Sequence, residues 1–237
     1  MNLIDLLQYA MDSGGSDLFI TTGKIPSMRR SGTIYQIGEE VIQAETVDEF
    51  RRTVLDQERE AEYRQRGTAD AGFNIDLAHR FRINFMSTLN GPGFVARPIH
   101  SGRDLDMVKL HIPVQIQKMC EAPAGIILVV GATGSGKSTT LAAMVNYINA
   151  NLNKHIITLE DPIEYIHEDQ RSIITQRELN SDAVSFADAL RSALREAPNV
   201  IVIGEMRDTD TVSTAVAAAM SGHLVLSTLH TSDAIQS

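Results

Sequence analysis

Ile126-Ile127-Leu128-Val129-Val130-Gly131-Ala132-Thr133-Gly134-Ser135-Gly136-Lys137-Ser138 is the stretch that decides the fold. Its first five residues are apolar and rich in β-branched side chains, and Gly131 to Ser138 match the pattern G-x-x-x-x-G-K-[ST]. Glycines let such a loop wrap with its backbone N–H groups turned inward, and the helix that follows aims its positive end at an anion held there. Leu141, Met144, Val145 and Ile148 fall on one side of that expected helix. The pattern makes Gly131, Ala132, Thr133, Gly134, Ser135, Gly136, Lys137 and Ser138 a candidate phosphate cradle. Lys137 would reach β- and γ-phosphates, and the Ser138 hydroxyl would hold Mg²⁺.

Downstream, three more apolar runs alternate with helical segments: Ile156 to Leu159, Val200 to Ile203 and Leu224 to Leu229. Continuous apolar runs of this kind read as buried parallel strands joined by crossover helices. Phe186 to Glu196 is the clearest helix, opened by a Ser185/Asp188 capping box and stopped by Pro198. In open parallel sheets ligands bind beyond the carboxyl ends of the strands, so residues just after each run are the candidates for chemistry. Val200 to Ile203 leads into Gly204-Glu205, which makes Glu205 the first choice for orienting or deprotonating a water. Ile156 to Leu159 delivers Glu160 and Asp161, which either hold Mg²⁺, position the nucleophile, or cap the turn at Pro162. His223 and His230 bracket the last run without the spacing of helical zinc ligands. Spacing alone makes each a structural histidine, and His230, at a strand's carboxyl end, is the better functional candidate.

Upstream the texture differs. Leu3, Leu6, Leu7 and Ala10 lie at helical spacing, strands are predicted at Asp17 to Thr21 and Thr33 to Ile37, and a polar helix over Thr46 to Arg66. Phe81, Ile83 and Phe85 alternate with Arg80, Arg82 and Asn84, as in a strand with one buried face. Asn90-Gly91 signals a hairpin, with Phe94 to Arg97 returning. A two-residue loop there sets Asn84 opposite Arg97 and leaves Arg82 on the same face. Two such arginines form either a solvated strand face or a site for an anion, for example the γ-phosphate of a neighbouring subunit. The expected organisation is a small α+β domain over residues 1–100, a linker over 101–112, and an α/β domain over 113–237. Thr231-Ser232-Asp233 reads as a helix start with four residues after it, so the second domain is expected to be truncated.

Over 237 residues, 43% hydrophobic and 22% charged residues describe an ordinary globular chain. A net charge of −9 argues against nucleic acid as the main partner. The longest apolar run is too short for direct membrane insertion, and no signal-peptide pattern opens the chain. Cys120 stands alone and reads as a small buried hydrophobe in a protein of a reducing, cytosolic compartment.

Taken together, these segments resemble the bacterial secretion and pilus ATPase superfamily, and most closely its type IV pilus retraction ATPases of the PilT/PilU type. The likeness rests on Ser16-Asp17-Leu18-Phe19-Ile20, Phe81-Arg82-Ile83-Asn84 and GATGSGKST, and on Ile157 to Tyr165, which resembles the family's Asp box. Ile203-Gly204-Glu205-Met206-Arg207-Asp208 resembles its Walker B motif, and Gly222-His223 through Leu229-His230-Thr231 its His box. The resemblance implies a PAS-like first domain, a RecA-like P-loop ATPase core with a parallel sheet and flanking helices, and a cytoplasmic homo-hexamer hydrolysing ATP with Mg²⁺. It implies an inner-membrane pilus platform protein as partner. It adds Thr139 to the cradle, makes Glu205 and Glu160 catalytic carboxylates and His230 and His223 phosphate-side residues, and offers Arg82 and Arg97 as phosphate-sensing arginines. The early start of the first domain favours retraction. The alternatives are a pilus-assembly or type II secretion ATPase, or a nucleotide-binding regulatory protein with little turnover.

Overall fold

The computed structural model describes residues 2–76, 79–132, 134–179, 182–183, 185–206 and 208–229. His230 and the predicted helix start at Thr231 lie outside the described residues, as do Thr133 and Arg207. The chain divides into two compact units, Met1–His100 and Ser101–Ser237.

In the first unit, helix α1 (Leu3–Asp12) starts where Asn2 and Asp5 form a capping box, the Asp5 amide donating to Asn2 Oδ1 at 2.8 Å. It buries Leu3, Leu6, Leu7 and Ala10, the four positions that share its apolar stripe. Three short strands follow: β1 (Asp17–Thr21), β2 (Ser27–Arg30) and β3 (Thr33–Gln36). The single polar helix expected over Thr46 to Arg66 is two helices, α2 (Ala44–Val54) and α3 (Gln57–Arg66). Leu55 is extended and Asp56 accepts the Arg59 amide at 2.8 Å, so a new N-terminus is capped where the periodicity ran on. Strands β4 (Thr68–Asn74), β5 (Arg80–Thr88) and β6 (Gly91–Ser101) complete an antiparallel sheet in the order β3-β2-β1-β6-β5-β4. Phe81, Phe85 and Phe94 are fully buried, and Phe50 of α2 packs on Phe94 with ring centroids 5.3 Å apart.

The hairpin register corrects the sequence reading. Thr88 pairs with Gly91, so the loop residues are Leu89 and Asn90, and Gly91 opens β6 at φ 121. Moving the turn back by one residue on each side puts Arg82, not Asn84, directly opposite Arg97.

The second unit begins with a 3₁₀ turn (Gly102–Asp104) and helix α4 (Val114–Cys120). Its sheet comprises β7 (Gly125–Val130), β8 (His155–Glu160), β10 (Ile173–Glu178), β11 (Val200–Ile203) and β12 (Leu224–Leu229), with the two-residue β9 (Tyr165–Ile166) between β8 and β10 in the chain. All four pairings in the order β10-β8-β11-β12-β7 are parallel. Alternate residues point to opposite faces. Ile127, Ile156, Val200, Val202, Leu224 and Leu226 pack with α5 (Lys137–Asn151), while Ile157, Leu159, Ile201, Ile203 and Val225 pack with α6 (Phe186–Ala193) and α7 (Thr209–Met220). Helix α6 stops three residues short of the expected Glu196, because the Arg195 and Glu196 amides bond to carbonyls only three residues back. Among the described residues, no helix is long and apolar enough to cross a membrane.

Candidate functional site

The P-loop joins β7 to α5. Gly134 (φ 78) and Gly136 (φ 91) hold left-handed backbone that side chains rarely adopt, and Gly136 is itself the N-cap of α5. Among the described residues no side chain caps this helix, which leaves first-turn amides of the kind that bind anions at helix N-termini. Lys137 is buried (7% exposed), and its Nζ donates to the Ala132 carbonyl at 3.0 Å. The ammonium is thus folded back over its own loop, where a phosphate would compete for it.

A cavity of about 470 Å³ opens beside this helix end, within the usual size range for a small-ligand site. Gly134, Gly136, Lys137, Ser138 and Thr139 line it from the loop side, and Glu160, Asp161 and Glu205 from the strand ends. Parallel register is what gathers them. Because β8 pairs with β11 and β11 with β12, Glu160, Gly204 and Thr228 come out along one edge of the sheet. That edge is cross-linked: the Gly204 amide donates to the Leu159 carbonyl at 2.8 Å and Thr228 Oγ1 to the Gly204 carbonyl at 2.6 Å. Glu205 is therefore carried on a braced turn and is itself buried.

Glu160 accepts hydrogen bonds at Oε1 from Thr158 Oγ1 (2.6 Å) and Gln176 Nε2 (3.2 Å), and its Oε2 has a longer contact with the Glu164 amide (3.4 Å). Burial pushes its carboxyl above the usual range, and those three donors pull it only part of the way back. Asp161, next to it, is exposed and precedes a cis peptide to Pro162. Tyr165 OH lies 3.0 Å from Thr139 Oγ1 and ties β9 to the first turn of α5. His167, also lining the cavity, has its imidazole pushed down to about 4 by burial, so it is neutral at physiological pH.

Other sequence candidates lie elsewhere. His223 precedes β12, and its backbone carbonyl accepts the Gly125 amide, at the edge where the parallel strands begin. Its Nδ1 lies 3.0 Å from the Ala218 carbonyl and 3.1 Å from Ser221 Oγ, so it finishes helix α7 and is not brought to the cavity of this chain. Arg82 and Arg97 sit side by side on the open face of the first unit, each with a carboxylate of its own. Arg97 donates through Nε (3.1 Å) and Nη2 (2.8 Å) to Asp17 Oδ1, and Arg82 lies 3.8 Å from Asp70. Asp17 is buried, which alone would raise its pKa, but Arg97, Ser16 and Arg29 outweigh that and hold it below its ordinary value.

Sequence reading missed Thr158, Tyr165, His167 and Thr228 in the cavity wall. Thr158 and Thr228 did carry a signal, as polar residues interrupting buried apolar strands. Tyr165 closes the stretch that resembles the Asp box but was given no role, and His167 carried no signal, because the position of both depends on the unforeseen strand β10, whose Gln176 binds the Tyr165 carbonyl and the His167 amide.

This geometry has close counterparts. The chain is 46% identical over 209 residues to a twitching motility protein of Neisseria gonorrhoeae, covering 88% of this chain and 56% of that protein. It is 38% identical over 234 residues to a type IV pilus retraction ATPase, PilT, of Pseudomonas aeruginosa, covering 99% and 68%. Among solved structures, the pilus retraction motor PilT with bound ADP superposes with a TM-score of 0.86 at 38% identity, covering 100% of this chain and 69% of that one. The chain thus spans between about half and two thirds of the length of these relatives. A loop-and-strand-edge site of this form, joined to a family match that runs from residue 2 to residue 237, establishes that the chain belongs to the type II/IV secretion system protein family.

Proposed function

We propose that this chain binds ATP with Mg²⁺ and hydrolyses it, as the ATPase core of a cytoplasmic homo-hexameric motor that retracts type IV pili. One observation carries the reading: a single cavity gathers the N-terminus of α5, Lys137 and two strand-end carboxylates, Glu160 and Glu205. A triphosphate tail needs donors and positive charge, and attack on its γ-phosphorus needs a placed water, and this wall offers groups for both. Lys137 would leave the Ala132 carbonyl for the β- and γ-phosphates. Glu205 would orient the attacking water and take its proton.

The Ser138 hydroxyl with Glu160 and Asp161 forms a set of hard oxygen donors along that cavity, a fit for Mg²⁺, which takes few protein ligands and completes its shell with phosphates and water. When bound, the ion supplies neutralising charge at the phosphate oxygens. Arg82 and Arg97, exposed on the first unit, would serve a γ-phosphate of a neighbouring subunit, and His230, outside the described residues, is a phosphate-side candidate on the family resemblance alone. In this reading the first unit is a PAS-like domain and the pilus platform protein of the inner membrane receives the force. Support comes from the names of the retraction and twitching relatives.

The test is steady-state phosphate release from Mg-ATP by this chain and by its Glu205→Gln variant. Turnover in the first and a loss of ~10² to 10⁴-fold in the second is expected, the range for removing a general base. Equal rates would remove Glu205 from the mechanism, and no turnover by the unaltered chain would overturn the reading.

A further inference from the structure

Gln176 has no place in the pattern that marks the site. It lies on β10, the strand at the margin of the parallel sheet, opposite Thr158 of β8. Yet its carboxamide is among the most fully engaged side chains near the cavity. Its Oε1 accepts the His167 amide at 2.8 Å, and its Nε2 donates to the Tyr165 carbonyl at 2.9 Å and to Glu160 Oε1 at 3.2 Å.

The two backbone partners fix which end of the amide is which. A backbone N–H can only donate and a backbone carbonyl can only accept, so the oxygen must face His167 and the nitrogen must face Tyr165. The nitrogen's second hydrogen is then left for Glu160. A side chain whose rotamer is locked by main-chain bonds is a rigid support for a catalytic carboxylate, in contrast to a solvated glutamine that can turn away. Thr158 Oγ1, at 2.6 Å, meets the same Glu160 oxygen, so both donors seat Oε1. The other oxygen keeps only the longer Glu164 contact on the described residues.

The same amide also holds β9 in place. Tyr165, whose carbonyl it binds, reaches Thr139 Oγ1 in the first turn of α5, at 3.0 Å. Gln176 therefore stands between two walls of the cavity, the carboxylate at the end of β8 and the segment that touches the P-loop helix.

We propose that Gln176 is a positioning residue for hydrolysis, holding Glu160 and the Tyr165–His167 segment in register with the P-loop. The proposal rests on the ATPase reading above and deepens it. A misplacement of ~1 Å at a reacting centre can cost ~10²-fold in rate while binding contacts elsewhere persist. The loss should therefore fall on kcat and pass through Glu160.

The experiment is a double-mutant cycle on the full chain, with Gln176→Met, Glu160→Gln and the combination. Methionine keeps the length of glutamine without its hydrogen bonds. Phosphate release gives kcat, a fluorescent ADP analogue with Mg²⁺ gives affinity, and thermal melting checks the fold. Gln176→Met should lower kcat ~10- to 100-fold with the nucleotide dissociation constant within about threefold. In the Glu160→Gln background the same change should cost less than about threefold more. A Gln176→Glu variant sharpens the point, since it retains an oxygen for His167 but sets a carboxylate against Glu160 and the Tyr165 carbonyl, and it should be at least as slow. Multiplied losses in the double variant, or kcat and affinity falling together, would overturn the proposal and leave the ATPase reading standing. No turnover by the unaltered chain would overturn both.

Discussion

The two units solve the same packing problem in opposite ways. In the antiparallel sheet of the first, Phe81, Ile83 and Phe85 are buried while Arg80, Arg82 and Asn84 face the other way, so polar groups are available along the length of β5. In the parallel sheet of the second, β11 is buried at every position and β8 from Ile156 to Leu159, with helices on both faces. Chemistry there is confined to the strand ends, which is where Glu160, Glu205 and the P-loop are found. A one-sided sheet offers a surface; a two-sided sheet offers an edge.

The largest effect that would sharpen this contrast belongs to the first unit's aromatic core. Phe81→Ala should destabilise that unit by ~3–5 kcal/mol in denaturant unfolding, the range for emptying a fully buried aromatic site. Nucleotide affinity, measured under native conditions, should be unchanged, because the described residues that line the cavity all belong to the second unit. Lys137→Ala comes next. Loss of charge-assisted bonds to phosphate should weaken Mg-ADP binding by about 1.5–3 kcal/mol, roughly 10- to 150-fold in calorimetry, with little change in melting.

A smaller pair of effects divides the neighbouring arginines. Arg97→Ala strips two hydrogen bonds from buried Asp17, which keeps Arg29 and Ser16, and should cost ~1–2 kcal/mol of stability. Arg82→Ala, which removes a half-exposed group 3.8 Å from Asp70, should stay within ~0.5 kcal/mol. Asp17 also sets a pH signature. Its folded pKa lies below its unfolded one, so its contribution is complete above the unfolded value near 3.8 and is lost as pH falls toward the folded one. Acid unfolding should begin at higher pH in Arg97→Ala than in Arg82→Ala, and the reverse order would break the assignment of Arg97 as Asp17's main partner.

The four strands expected in the second unit were legible because burial on both faces writes an unbroken apolar run, and the P-loop because its glycines are demanded by backbone geometry. From these the strand-end carboxylates followed, and Glu160, Asp161 and Glu205 do share a cavity with Lys137 and Ser138. Strand β10 was not legible. It is an edge strand, Ile173-Ile174-Thr175-Gln176-Arg177-Glu178, only partly covered, and its polar second half reads as a loop. Gln176, Tyr165 and His167 were lost with it. The break at Asp56 was hidden because α2 and α3 share one polar composition, and the cap that separates them is a single side chain. Arg82 and Arg97 were read onto one face correctly, but a one-residue misplacement of the turn hid that they are directly opposed. The resemblance to the secretion and pilus ATPases, drawn from motifs in order along the chain, agrees with the family to which the chain belongs.

The most direct test of the central claim is a crystal structure of this chain with Mg²⁺ and a non-hydrolysable ATP analogue. The account predicts the triphosphate in the curve of Gly131 to Ser138, Lys137 released from the Ala132 carbonyl onto it, and Glu205 and Glu160 facing the γ-phosphate. A nucleotide bound elsewhere, or a γ-phosphate out of reach of both carboxylates, would contradict it.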